Sequence, residues 1–118
     1  MLLAAWMGCA TQAEVRRKQS QAIDMEKKGA DFFQQGQFPR ALGYYQRALQ
    51  AYESIDHREG VARSLNSMGS VFQAMGRTPA ALEYYQRSLA INSDLGNEAG
   101  MSLNLNNIGS ATLSLGKP

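Results

Sequence analysis

The sequence predicts an all-α fold: antiparallel helix pairs stacked into an open solenoid of about two and a half repeats. Three observations carry this. The segment Pro39-Arg-Ala-Leu-Gly-Tyr-Tyr-Gln-Arg-Ala-Leu49 returns forty residues later as Pro79-Ala-Ala-Leu-Glu-Tyr-Tyr-Gln-Arg-Ser-Leu89. Gly29, Gly69 and Gly109 keep the same spacing, as do Gly36, Gly76 and Gly116. Between them, apolar residues fall at steps of three and four and nowhere alternate as a half-buried strand requires. A fixed period of this length marks a supersecondary unit whose apolar face only a neighbouring copy can cover. The units run 20–59, 60–99 and 100–118, the last incomplete, after an N-terminal segment 1–19.

Residues Met1 to Ala10 are all apolar or small. The run is too short for a spanning helix, which needs about twenty residues, and reads as the end of a signal-peptide apolar region. Gly8-Cys9-Ala10 resembles the lipobox of bacterial lipoproteins. That resemblance implies lipidation of Cys9, which becomes the mature N-terminus and tethers the chain to a membrane. Ala10 after the cysteine, rather than Asp, implies the outer membrane. The expected location is then the bacterial cell envelope, as an outer-membrane lipoprotein or in the periplasm, with the cytoplasm as the alternative. Trp6 stands where lipoproteins usually carry Leu, and no positively charged region precedes the run. The alternative is an apolar tail that packs on the first helix or frays. Thr11-Gln-Ala-Glu14 then either opens a linker or belongs to a helix extension.

Helix formers dominate from about Gln12 to Gln35, with Ile23, Met25, Phe32 and Phe33 as an apolar stripe, and Gly36 stops the helix. Pro39 sits where a first helical turn tolerates proline, and that helix runs to about Ile55 with Ala41, Leu42, Tyr45, Ala48, Leu49 and Tyr52 on one face. Asp56-His57-Arg58 turns the chain. A third helix covers about Glu59 to Met75, with Leu65, Met68, Phe72 and Met75 inward, and Gly76 ends it. Pro79 opens a fourth, with Leu82, Tyr85 and Leu89 inward. Leu95-Gly96-Asn97 is a turn signal, and a fifth helix spans about Glu98 to Leu115.

Composition removes several functions. A net charge of +2, with basic residues scattered, does not make a nucleic-acid surface. One cysteine, Cys9, and one histidine, His57, allow neither an internal disulfide nor a tetrahedral zinc site. No cofactor motif is present: the glycines recur at the repeat spacing instead of clustering into a phosphate loop. His57 lies in a turn with no Ser or Cys nucleophile placed beside it, so it reads as a surface turn residue and the chain as no enzyme. The paired Tyr44 and Tyr84 read as packing residues.

The repeated positions resemble the tetratricopeptide repeat. In the first helix of each unit the matching residues are Met25, Gly29 and Phe32, then Leu65, Met68, Gly69 and Phe72, then Leu105, Ile108 and Gly109. Lys28 occupies the Leu-like place of the first unit, and Thr112 replaces the aromatic of the third. In the second helix they are Ala41, Tyr45 and Ala48, then Ala81, Tyr85 and Ser88. The unit is forty residues long against the usual 34 or so, and Glu53 and Ser93 stand where a closing proline is common. Asn66-Ser67-Met68-Gly69 and Asn106-Asn107-Ile108-Gly109 are similar to a longer variant of the family.

The resemblance implies a right-handed superhelix whose first helices line a concave groove that binds a protein or peptide. The groove positions are then Glu26, Asn66 and Asn106; Ala30, Ser70 and Ser110; Phe33, Gln73 and Leu113; and Arg63. Asn66 and Asn106, one repeat apart, offer donor and acceptor to an extended peptide backbone, and Arg63 offers a two-point contact to a carboxylate. The second reading is a regulatory module cut from a larger signalling or protease-like enzyme, since the third unit lacks its second helix. That open third repeat is also a candidate for self-association.

Overall fold

A computed structural model describes the backbone of residues 2–116 and the side chains of residues 12–116. Five α-helices succeed one another: α1 Leu2–Gln34, α2 Phe38–Ser54, α3 Arg58–Ala74, α4 Thr78–Leu95 and α5 Glu98–Gly116. No strand occurs among the described residues. Each helix packs on its sequence neighbours, and α3 also touches α5. The result is elongated, 66 × 31 × 18 Å, with a radius of gyration of 16.3 Å; a compact chain of this length would have about 13.5 Å.

The start of α1 differs from the expectation. The helix begins at Leu2, not near Gln12, and runs unbroken through Thr11–Glu14, where a linker was one of two expectations. Ala, Leu, Met, Gln and Arg dominate this stretch and no proline interrupts it, so nothing local stops the helix. The side chain of Cys9, the expected lipidation site, lies outside the described residues.

The turns have a shorter period than the sequence echo. Four of them, centred on residues 36, 56, 76 and 96, share one pair of backbone bonds. Gln37 N donates to Phe32 O (2.9 Å), His57 N to Tyr52 O (2.9 Å), Arg77 N to Phe72 O (2.8 Å) and Asn97 N to Asn92 O (2.9 Å), each enclosing a second bond of tighter span, such as Gly36 N to Phe33 O (3.0 Å). This arrangement satisfies two of the carbonyls orphaned at a helix end, and it needs a left-handed residue. Gly36, Gly76 and Gly96 supply it at φ 75°, 79° and 67°; in the second turn Asp56 does, at φ 54°. The helix starts just past these turns are of two alternating kinds. Pro39 and Pro79 start α2 and α4 without a side-chain cap. α3 and α5 are capped, by His57 Nδ1 accepting from Gly60 N (2.9 Å) and Asn97 Oδ1 accepting from Gly100 N (3.1 Å).

The core is a row of small clusters, as stacking of separate units requires. One gathers Ala41, Tyr45, Leu49, Leu65, Met68 and Val71; a second Ala22, Ala48 and Tyr52; a third Ala81, Tyr85 and Ala111. Buried alanines mark the close helix crossings, and tyrosines fill the space between them. Tyr44 and Tyr84 lie outside these crossings and stack on Phe32 and Phe72, with ring centroids 5.4 and 5.1 Å apart, worth about 1 kcal/mol each beyond burial.

Candidate functional site

Three hydrogen-bonded groups join the first helices of the units. The first links α1 to α3 through α2. Tyr52 donates to Glu26 Oε2 (2.7 Å), while Arg63 donates to Glu26 Oε1 from Nε (3.0 Å), to Oε2 from Nη2 (3.2 Å) and to the Tyr52 hydroxyl (2.9 Å). Burial and the bond to Glu26 push the Tyr52 phenol up to about 12. Burial works to lower Arg63, but the bonds and charge of Glu26 outweigh it and hold the guanidinium above its ordinary range. Arg63 was expected to offer two contacts to a partner's carboxylate. Instead Glu26 takes them, leaving only Nη1 without an acceptor among the described residues.

The second group joins Tyr85, Ser70, Gln73 and Ser110. The Tyr85 hydroxyl donates to Gln73 Oε1 (2.7 Å) and lies 3.3 Å from Ser70 Oγ, and Gln73 Nε2 donates to Ser110 Oγ (3.3 Å). Gln73 therefore bridges α4 and α5 from a groove position.

The third group is a chain of amides. Gly100 N donates to Asn97 Oδ1, Asn97 Nδ2 to Asn92 Oδ1 (3.2 Å), and Asn92 Nδ2 to Asn104 Oδ1 (2.7 Å). Asn104 Nδ2 then donates to Asn66 Oδ1 (2.9 Å) and to Ser88 Oγ (2.9 Å), and Ser88 donates to the Ala62 carbonyl (2.7 Å). A backbone N–H can only donate and a carbonyl can only accept, so both ends fix the direction of every amide between them. Asn107 Nδ2 adds a second donor to Asn66 Oδ1 (3.1 Å). The acceptor side of Asn66 is thereby occupied, and its Nδ2 has no acceptor among the described residues.

These amides form the floor of a cavity of about 300 Å³, lined among others by Glu59, Arg63, Asn66, Asn104, Ala99 and Leu103. Asn66 and Arg63, the residues with unused donors, both line this cavity.

The expected groove residues thus separate. Glu26 and Arg63 meet in the first group and Ser70, Gln73 and Ser110 in the second, while Asn66 belongs to the third. Asn106 is exposed and bonds to nothing described; its neighbour Asn107 and, one turn away, Asn104 reach Asn66 instead. Phe33 is half-buried against the first core cluster, its ring 5.6 Å from Phe38. Tyr52, Ser88, Asn92, Asn97 and Asn104 were not expected at the site. A signal existed in the forty-residue register: Ala48, Tyr52, His57 and Ser64 of one unit become Ser88, Asn92, Asn97 and Asn104 of the next, a concentration of amides at one junction. His57 is a helix cap packed on Tyr52, with ring centroids 5.1 Å apart.

Among the described residues no cluster of side chains can hold a metal ion, and no helix is long and apolar enough to cross a membrane. Residues 19–94 match the tetratricopeptide repeat family. No curated protein matches significantly. Among solved structures, the chain is similar to the crystal structure of the TPR domain of Arabidopsis FLU, with a TM-score of 0.79 and 21% identity, over 84% of this chain and 83% of that one.

Proposed function

We propose that this chain, which belongs to the tetratricopeptide repeat family, holds an extended peptide at the α3–α5 junction by its backbone carbonyls or a carboxylate. Members of the family are generally protein–protein interaction modules and typically non-catalytic scaffolds. The finer reading rests on one observation: Asn66 and Arg63 both line the cavity, and each keeps a donor, Nδ2 and Nη1, without an acceptor among the described residues. Both are held in place from behind, Asn66 by the amide chain and Arg63 by Glu26, so little side-chain freedom is lost when an acceptor arrives. Asn66 presents a donor alone, which suits a carbonyl and not an N–H. The exposed Leu103 on the cavity wall adds an apolar contact.

Asn66→Asp is a near-isosteric test. It keeps the oxygen that accepts from Asn104 and Asn107 and replaces the NH₂, which has no acceptor among the described residues, with an oxygen. Peptides captured by the native chain from a synthetic unstructured-peptide array should bind this variant at least about tenfold more weakly, with the melting temperature nearly unchanged. Equal retention by both proteins refutes the assignment.

We also propose a lipid tether at Cys9, supported by the Gly8-Cys9-Ala10 step. Metabolic labelling with a palmitate analogue in a bacterial host should mark the native chain and not Cys9→Ser; an unlabelled native chain contradicts it.

A further inference from the structure

One outer surface occurs in two versions, forty residues apart. In the first unit the rings of Phe32 and Tyr44 are stacked, and each has an arginine over it. The Arg40 guanidinium carbon lies 5.6 Å from the Phe32 centroid, and that of Arg47 lies 5.3 Å from the Tyr44 centroid. Both arginines, both rings and Gly43 line a hollow of about 290 Å³. A Cβ at Gly43 would meet nothing within 4 Å. In the second unit the stack is Phe72 on Tyr84, with Arg87 5.2 Å from the Tyr84 centroid. There Ala80 replaces Arg40, and Glu83 replaces Gly43 one turn before Arg87. The second unit thus sets a carboxylate near its single arginine, whereas the first keeps two arginines with a bare glycine between them.

A neighbouring unit of the chain does not cover this surface. The second unit has helices of other units packed on both sides, and Glu83 and Arg87 are still exposed. Neither Arg40 nor Arg47 is in an ion pair among the described residues. Asp31, beside Phe32, is exposed and pairs with neither. A guanidinium held over a ring keeps N–H groups for a two-point bond to a carboxylate, and the ring limits its freedom beforehand. Two such forks along one hollow suit two carboxylates on one strand. An extended chain points alternate side chains the same way, about 7 Å apart. The protein itself offers no such strand: every described acidic residue lies in a helix, except Asp56 in its tight turn. A membrane surface fits less well, because none of the exposed large apolar side chains lines the hollow to enter an acyl layer.

We propose that the hollow between Arg40 and Arg47 binds an extended acidic segment of a partner protein, one carboxylate on each guanidinium and the strand passing over Gly43. This surface shares no lining residue with the amide-floored cavity, and its test does not depend on Asn66.

The probe is a short labelled peptide alternating glutamate with serine, titrated against the full chain by fluorescence anisotropy at low salt. It should bind the native protein, while the same peptide with glutamine for glutamate should not. Gly43→Glu copies the second unit, and should weaken binding at least about tenfold relative to Gly43→Gln. Both changes put a better helix former into open space on a helix, so both variants should melt no lower than the native chain, which circular dichroism checks. Arg40→Lys with Arg47→Lys keeps the charge but removes the forks, and should also weaken binding. Arg16→Gln with Arg17→Gln lowers the net charge elsewhere and should leave binding unchanged. Absence of binding overturns the proposal, as does equal binding by Gly43→Glu and Gly43→Gln, or by the native chain and the double-lysine variant. Vesicles of anionic phospholipid that displace the peptide would overturn it in favour of a membrane surface.

Discussion

Tyr52 is the residue on which two helices converge. Its ring lies over Gly60, where a Cβ would come within 2.3 Å, and its hydroxyl sits between Glu26 and Arg63. An unfolded phenol titrates near 10; in the fold, burial and Glu26 raise Tyr52 to about 12. Between these values the unfolded chain has lost a proton that the folded chain keeps. The contribution to stability is therefore complete below about pH 10 and disappears as pH rises through about 12. The difference in tyrosinate absorbance between native protein and Tyr52→Phe should isolate one phenol titrating near the upper value, and the melting-temperature gap between the two proteins should narrow over that window. A Tyr52 signal near pH 10 would show that the hydroxyl is free. The importance of Tyr52 was only half legible. Its helical spacing places it inward beside Leu49, but the partners come from residues 26 and 63, and only the packing of α1 and α3 on α2 brings those together.

At the scale of the helix, the stops were the most legible feature, because Gly36, Gly76 and Gly96 announce a left-handed residue directly. The second stop hid behind an ordinary Asp-His-Arg turn. The structure shows it to be the same turn, with Asp56 at positive φ. Aspartate tolerates this conformation better than most residues, but still less well than glycine. Asp56→Gly should raise stability by about 0.5–1 kcal/mol, the conformational gain partly offset by the greater freedom of glycine in the unfolded chain. Denaturant unfolding would read it as a higher midpoint with an unchanged slope, and a lower midpoint would mean that the aspartate side chain contributes more than its backbone strain costs. The opposite end of α1 was not legible. The residues before Gln12 look like a processing signal, and that pattern competes with a helical composition that has nothing to stop it.

Over the whole molecule, the forty-residue echo determines architecture and leaves the junctions to be set individually. The repeated glycines, alanines and tyrosines of the core were readable in register. The contacts between units were not, because they arise where the units differ: Tyr52 with Glu26 and Arg63 at the first junction, amides at the second. The direction of the amide chain has a consequence for assembly. Near-identical units could in principle stack on the wrong neighbour, within one chain or between two. A chain of amides anchored by an N–H at one end and a carbonyl at the other accepts only one partner face, since a displaced face would set donor against donor. It would also leave buried polar atoms unpaired, at about 1–3 kcal/mol apiece. The second junction thus carries an address that the first cannot read, so the order of the units is written in their hydrogen bonds as well as in the chain that connects them.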